Sequence, residues 1–556
     1  MNPAIARLDR LNQSAITLFI LGAALVFIVL PVLALLIRSV LDSTNQFVGL
    51  DQFLRYFQTP SLVDSLIRSV WISAVSAAAT TTLAFGFAYS ICMTAMPFKG
   101  LFRGMALIPL MAPSLLMAIS LVYWFGNQGF LKSWMGGGSI YGELGIFLGS
   151  VLWTFPHALM VLMASLTVRD GRLPEAARSL GASEWRVFRT VTLPQARYGL
   201  MMSFILVFVL VITDFGVAKV IGGQANVIAT DLYRQVIGQQ NFSMGAVVAV
   251  ILLLPALLAF WMERRVRATQ SAALSARAVL ASPSKSKLLA ALATMFCGLL
   301  SAIFVAMIGM AVFAALASYW PYNLEPSLKN FRFDDMDGGG WQTYWNSIRL
   351  ALGTALLGGI LAFLSAWCVE KARVPKVLQE GVNLMATIPM AVPGLALGLG
   401  YILFFNHPSQ PFGLLYGTIW ILILCTVVHF FSTAHLTMLA SLRQLDREFE
   451  YVSESLGQPF WRTLTRVTLP VCLPATLEVS GYFFVNALTT VSAVVFLYSP
   501  ATQLASVAVL NMDDAGDVAP AAAMAVMIFI TAAVGRALFS LVSWLLLHQT
   551  QKWRFR

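Results

Sequence analysis

Two groups of residues in this sequence have types and spacings that could do chemistry. The first lies inside apolar runs. Asp214 and Lys219 stand five residues apart in one such run, and Asn486, Thr489 and Thr490 place amide and hydroxyl groups in a later one. An ionisable side chain set in hydrocarbon is costly, and it marks a route for polar cargo, an internal ion pair or a charged helix end. The second group is a spaced pattern in a polar segment: Glu175-Ala176-Ala177, then Gly181, then Val191-Thr192-Leu193-Pro194. This pattern suits docking better than bond-making. Pro174 fits a first helical turn, and Glu175 fits the positive end of a helix dipole. Ala176 and Ala177 give helix propensity and a slim surface, and Gly181 permits close backbone approach or a turn. A short helix over 174–186 could seat in a groove on a partner.

Reaction chemistry has no comparable signature. No nucleophile–base constellation stands out, and no G-x-x-x-x-G-K-[ST] loop is present. Gly136-Gly137-Gly138 lacks the strand–loop–helix setting of a phosphate cradle. His157, His429 and His435 share no metal-ligand spacing, and the five cysteines form no CxxC pair. The expectation is a protein that is not an enzyme, with no cofactor and no metal.

The elements that must position these residues are membrane helices. The 556 residues are 58% hydrophobic and 11% charged, against about 25% charged in soluble chains. The net charge of +11 does not point to nucleic acid, because the charges sit in short loops without a basic, aromatic-interleaved face. The first apolar run, Ala15 to Ile37, is too long for a signal sequence and lacks a cleavage site, so it reads as a retained helix. Runs long enough to cross a bilayer fall near 15–38, 66–92, 103–125, 145–168, 199–222 and 245–262. A second set falls near 288–318, 347–369, 382–405, 414–440, 475–498 and 519–547. With both termini in the cytoplasm, most of the 36 Lys and Arg lie in cytoplasmic segments, as the positive-inside rule asks.

The two sets of spans are copies. SLGASEWRVFRTVTLP at 179–194 matches SLGQPFWRTLTRVTLP at 455–470, including Gly181 with Gly457, Trp185 with Trp461, and Leu193-Pro194 with Leu469-Pro470. Pro109 and Pro113 find counterparts in Pro389 and Pro393, where they break helices that could line a cavity. Both copies of the matched loop fall on the cytoplasmic side, so the repeats run parallel. The expected fold is an all-α polytopic membrane protein, about twelve transmembrane helices in two parallel six-helix repeats. Its expected divisions are a first helix and periplasmic loop (1–61), a first module (62–262) and a cytoplasmic linker (263–287). A second helix and loop (288–341), a second module (342–548) and a cytoplasmic tail (549–556) follow.

The Glu175-Ala176-Ala177, Gly181 and Leu193-Pro194 pattern resembles the EAA loop of type I binding-protein-dependent ABC importer permeases, departing only in Val191 for Ile. The resemblance covers nearly the whole chain, as two fused modules. It implies a MetI-like fold in the bacterial inner membrane. The implied partners are two copies of an ATP-binding subunit, a periplasmic substrate-binding protein, the lipid bilayer and a small-molecule substrate. The second loop departs further: Tyr451-Val452-Ser453 replaces the acidic triplet, with Glu450 and Glu454 out of register and Gly457, Leu469 and Pro470 kept. Fused pairs of this size resemble the ferric-iron, thiamine and 2-aminoethylphosphonate branch. The segments Leu488–Pro500 and Ala505–Asp517 look most like 2-aminoethylphosphonate permeases, which puts that cargo first and ferric iron second. Asp513, Asp514 and Asp517 are expected on the outer side, touching a binding protein or solvated. An ion-coupled secondary transporter also has two parallel six-helix halves; the duplicated loop favours the importer.

Overall fold

The computed structural model describes residues 3–167, 172–273, 286–407 and 411–550. Residues 274–285 of the expected linker and 551–556 of the expected tail lie outside them. The first half contains α1 (Arg7–Arg38), α2 (Pro60–Met93), α3 (Lys99–Met111), α4 (Ser114–Phe125), α5 (Glu143–Thr167) and α6 (Arg172–Ser179). It continues with α7 (Glu184–Thr213), α8 (Gly216–Ile221), α9 (Ile228–Tyr233) and α10 (Phe242–Glu263). The second half contains α11 (Lys287–Leu316), α12 (Gly340–Glu370), α13 (Lys376–Ala391), α14 (Gly394–Phe405) and α15 (Ile419–Arg443). It closes with α16 (Glu448–Ser455), α17 (Phe460–Thr489), α18 (Ala505–Ala515) and α19 (Val518–His548).

Among the described residues, ten helices are long and apolar enough to cross a membrane, and the count reaches twelve if each of two bent pairs is one span. The bent pairs are α3–α4 and α13–α14, which turn by 103° and 111°. Both bends sit on the matched prolines. Pro109 and Pro389 lie in a tight 3-10 turn, and Pro113 and Pro393 cap the following helix in extended geometry. Proline has no N–H for the helix ladder and its ring crowds the preceding turn, so paired prolines break the helix here.

Two spans start earlier than hydropathy suggests. The expected runs near 199–222 and 475–498 belong to helices that begin at Glu184 and Phe460 and end at Thr213 and Thr489. Each passes through a π turn, Phe188–Thr192 or Leu464–Thr468, directly before Leu193-Pro194 or Leu469-Pro470. α1 uses the same device, with a π turn at Leu25–Val29 before Leu30-Pro31. The wider turn lets the chain stay helical past a proline. In α1, Pro31 has no N–H for the Phe27 carbonyl four residues back, and Tyr401 supplies the donor, its hydroxyl reaching Phe27 O at 2.7 Å.

That bond also shows how the halves interlock. α1 packs on the bent span of the second half: Phe27 stacks on Phe405 with centroids 5.8 Å apart. The Arg373 amide donates to the Gln13 side chain at 2.6 Å, and the Phe460 amide to Asp9 at 2.9 Å. α11 crosses the other way, with Phe304 against Phe155 at 4.9 Å and Trp124 Nε1 donating to Ala306 O at 3.4 Å. The first helix of each half therefore embraces the opposite half. Within the halves, small residues set close helix contacts, as membrane packing favours. A Cβ on Gly358 of α12 would come within 2.6 Å of the Phe483 ring on α17. The only strands among the described residues form a hairpin, Ala317–Tyr319 with Asn323–Pro326, in the loop after α11.

Candidate functional site

The sequence expected one helix over 174–186; the chain instead forms α6 and then turns before α7. Gly181 has φ +78°. Its amide donates to Arg178 O at 2.9 Å and the Ala182 amide to Ala177 O at 3.1 Å. These paired bonds close a Schellman turn, which places a left-handed residue just beyond the helix end. A Cβ on Gly181 would have nothing of this chain within 4 Å, so within the chain the glycine serves the turn. α7 then starts with Ser183 as its N-cap. The second loop repeats this turn. Gly457 has φ +68°, its amide donates to Glu454 O at 2.9 Å, and the Gln458 amide to Ser453 O at 3.0 Å. Both turns expose apolar side chains at matched positions: Leu180 is 88% exposed and Leu456 70%, with Trp185 and Trp461 beside them.

The loops differ in their anchoring. In the first, Glu175 and Ala176-Ala177 lie on α6, and Arg178 pairs with Glu184 at 2.8 Å across the turn. Trp185 stacks on Phe188 at 5.5 Å, and Phe188 meets Tyr89 of α2 edge-on at 5.5 Å. In the second, charges hold α16 to the α12–α13 connection. Lys371, almost fully buried, donates to Leu445 O at 2.8 Å and faces Glu450 at 3.5 Å. Arg373 pairs with Glu454 and holds its carboxyl below the usual range. Arg447 reaches Glu370 at 3.2 Å. Asp9, Gln13, Lys371, Glu450 and Glu454 line an open cleft at this junction. Glu450 and Glu454 thus face basic residues of their own half.

The intramembrane candidates are arranged differently from their order in sequence. Asp214 and Lys219 do not pair. Asp214 follows the end of α7 and accepts from the Val217 amide at 2.8 Å, capping α8. Thr490 holds the same place after α17, with nearly the same backbone angles (φ −73°, ψ 140° against φ −73°, ψ 128°). Thr489 and Asn486 bond back to their own helix, Thr489 to Val485 O at 3.1 Å and Asn486 to Tyr482 O at 2.8 Å. Lys219 reaches across to the second half, its ammonium 2.9 Å from Asp514. It also lies 5.8 Å from the centroid of the Tyr233 ring. Tyr233 packs on Phe215 at 4.8 Å and on Phe496 of the second half at 6.1 Å. Sequence reasoning treated Asp514 as a solvent or binding-protein contact and did not single out Tyr233. The Lys219–Asp514 pair joins residues nearly 300 positions apart, which no local pattern reveals.

A family profile described as "binding-protein-dependent transport system inner membrane component" matches this chain twice, over residues 93–269 and 356–545. A ferric transport system permease of Haemophilus influenzae is 27% identical, over 86% of this chain and 77% of its own length. A ferric transport system permease of Actinobacillus pleuropneumoniae is 26% identical, over 90% of this chain and 74% of its own. A thiamine transport system permease of Salmonella typhimurium is 24% identical, over 72% of this chain and 74% of its own.

Proposed function

The chain belongs to the binding-protein-dependent transport system inner membrane components, and on that premise we propose that it forms the whole transmembrane pathway of an ATP-driven importer. It is a multi-pass permease and not an enzyme. The carrying observation is the pair of Schellman turns, at Gly181 and Gly457, each presenting an exposed leucine and tryptophan. Two such faces on one chain suit two copies of an ATP-binding subunit. Glu175, Ala176 and Ala177 on α6, and Glu454 beside Gly457 on α16, sit within these docking pieces. Leu193-Pro194 and Leu469-Pro470 lie within α7 and α17, which start directly after the turns, so a push on a turn is delivered along a continuous helix. Both termini lie on the cytoplasmic side with the turns, and modules 62–262 and 342–548 each receive the first helix of the other half.

The cargo proposed is 2-aminoethylphosphonate, handed over by a periplasmic binding protein. It rests on the likeness of Leu488–Pro500 and Ala505–Asp517 to permeases for that substrate. Ferric iron is the second reading, favoured by the names of two relatives. Relatives named for ferric and for thiamine transport stand at 24–27% identity alike, so overall identity at this level does not select a cargo. Co-expression with a candidate ATP-binding subunit tests the coupling role: the two should co-purify, and a chain that captures no ATPase would overturn it. Reconstitution with the cognate binding protein and radiolabelled 2-aminoethylphosphonate or ferric iron then assigns the cargo.

A further inference from the structure

We propose that Lys219, Asp514 and the face of Tyr233 form a way-station in the pathway for a small molecule carrying both an ammonium and an anionic group. This rests on the 2-aminoethylphosphonate reading and gives it a site within the permease. In the structure an ammonium already occupies a cation site: Lys219 Nζ sits 2.9 Å from an Asp514 carboxylate oxygen and 5.8 Å from the Tyr233 ring centroid. A carboxylate with an aromatic face is a general recogniser of ammonium groups. The lysine therefore stands where a cargo ammonium would bind.

The pair is placed to exchange. Lys219 lies on α8 of one half and Asp514 on α18 of the other, so the site exists only where the halves meet. The side chains keep 26% and 52% exposure, leaving a newcomer access. The pair does not itself terminate either helix: the backbone of α8 ends at Gly222, and α18 terminates at Gly516 with φ +90°. When a cargo ammonium takes Asp514 and Tyr233, Lys219 is released to face the cargo's anionic end. Every charge then keeps a partner. A simple cation would displace Lys219 without offering it an anionic partner, and a simple anion would draw Lys219 from Asp514 without offering the carboxylate a cation. At 26% and 52% exposure each released charge stays partly solvated, so the site prefers a zwitterion and does not exclude the others. Pseudo-symmetry gives no second copy, because Val495 stands where the repeat would place Lys219.

The test uses the full complex of this chain, its ATP-binding subunit and its binding protein in proteoliposomes, with radiolabelled 2-aminoethylphosphonate as probe. The variant is Lys219→Met with Asp514→Asn, which removes both charges and strands neither. Co-purification with the ATP-binding subunit reports assembly. The expected result is at least a tenfold fall in cargo imported per ATP hydrolysed by the assembled complex. Import per ATP at the wild-type level by that complex overturns the proposal. If the double variant does not assemble, Tyr233→Leu, which leaves the ion pair in place, carries the same test: import per ATP should fall several-fold, and a wild-type ratio overturns the proposal. Should the wild-type complex import no 2-aminoethylphosphonate at all, the cargo reading fails, and the way-station proposal is overturned with it.

Discussion

Replacing Gly181 tests whether the coupling turn, and not the mere presence of a small residue, is what the loop requires. The backbone at Gly181 has φ +78° and at Gly457 φ +68°, a region where a residue with a Cβ costs about 1–2 kcal/mol. Asparagine tolerates it best, and β-branched residues least. A Cβ at either position has nothing within 4 Å, so the cost in the unbound chain is conformational and carries no clash term. About 1–2 kcal/mol corresponds to a factor of roughly 5–30 in a two-state population. Gly181→Val should therefore lower the fraction of chains presenting a formed turn and cut ATPase-subunit capture and import by about that factor. Gly181→Asn should stay within a few-fold of wild type, and Gly457→Val should behave like Gly181→Val. The assay is a pull-down titration of the ATP-binding subunit on the reconstituted chain, followed by import. Equal loss in the Asn and Val variants would refute the turn argument and show that the partner's backbone presses on the glycine. No loss in either Val variant would refute any need for the turn.

Two further expectations concern the interlocked core. Tyr401→Phe removes the donor to the Phe27 carbonyl and should lower the stability of the purified chain by about 1–3 kcal/mol. Adding Pro31→Ala, which restores an N–H for that carbonyl, should recover part of the loss in a thermal melt; no difference between single and double variants would count against this account. Arg536 of α19 pairs with Glu478 of α17 at 2.5 Å. Either residue changed alone to leucine strands a charge in the bundle and should lower folded yield more than the double change, because an unpaired intramembrane charge costs about 2.5–3.5 kcal/mol by insertion scales; additive single effects would refute the coupling.

The sequence by itself determined the solvent, the duplication and the pair of matched loops. Long apolar runs dictate helices in a bilayer, and the repeat of Gly181, Trp185 and Leu193-Pro194 as Gly457, Trp461 and Leu469-Pro470 identifies matched loops, because these are short-range patterns. It also marked the proline pairs that bend α3–α4 and α13–α14. Helix ends were less legible: α7 and α17 start well before their apolar runs, because a π turn carries each helix past its proline. Hydropathy does not register that geometry. Only the tertiary structure decided that α1 and α11 embrace opposite halves, that Glu454 serves Arg373, and that Lys219 answers to Asp514 and not to Asp214. A charge in an apolar run takes the partner that the packed bundle brings within reach, and that choice depends on how the two halves meet.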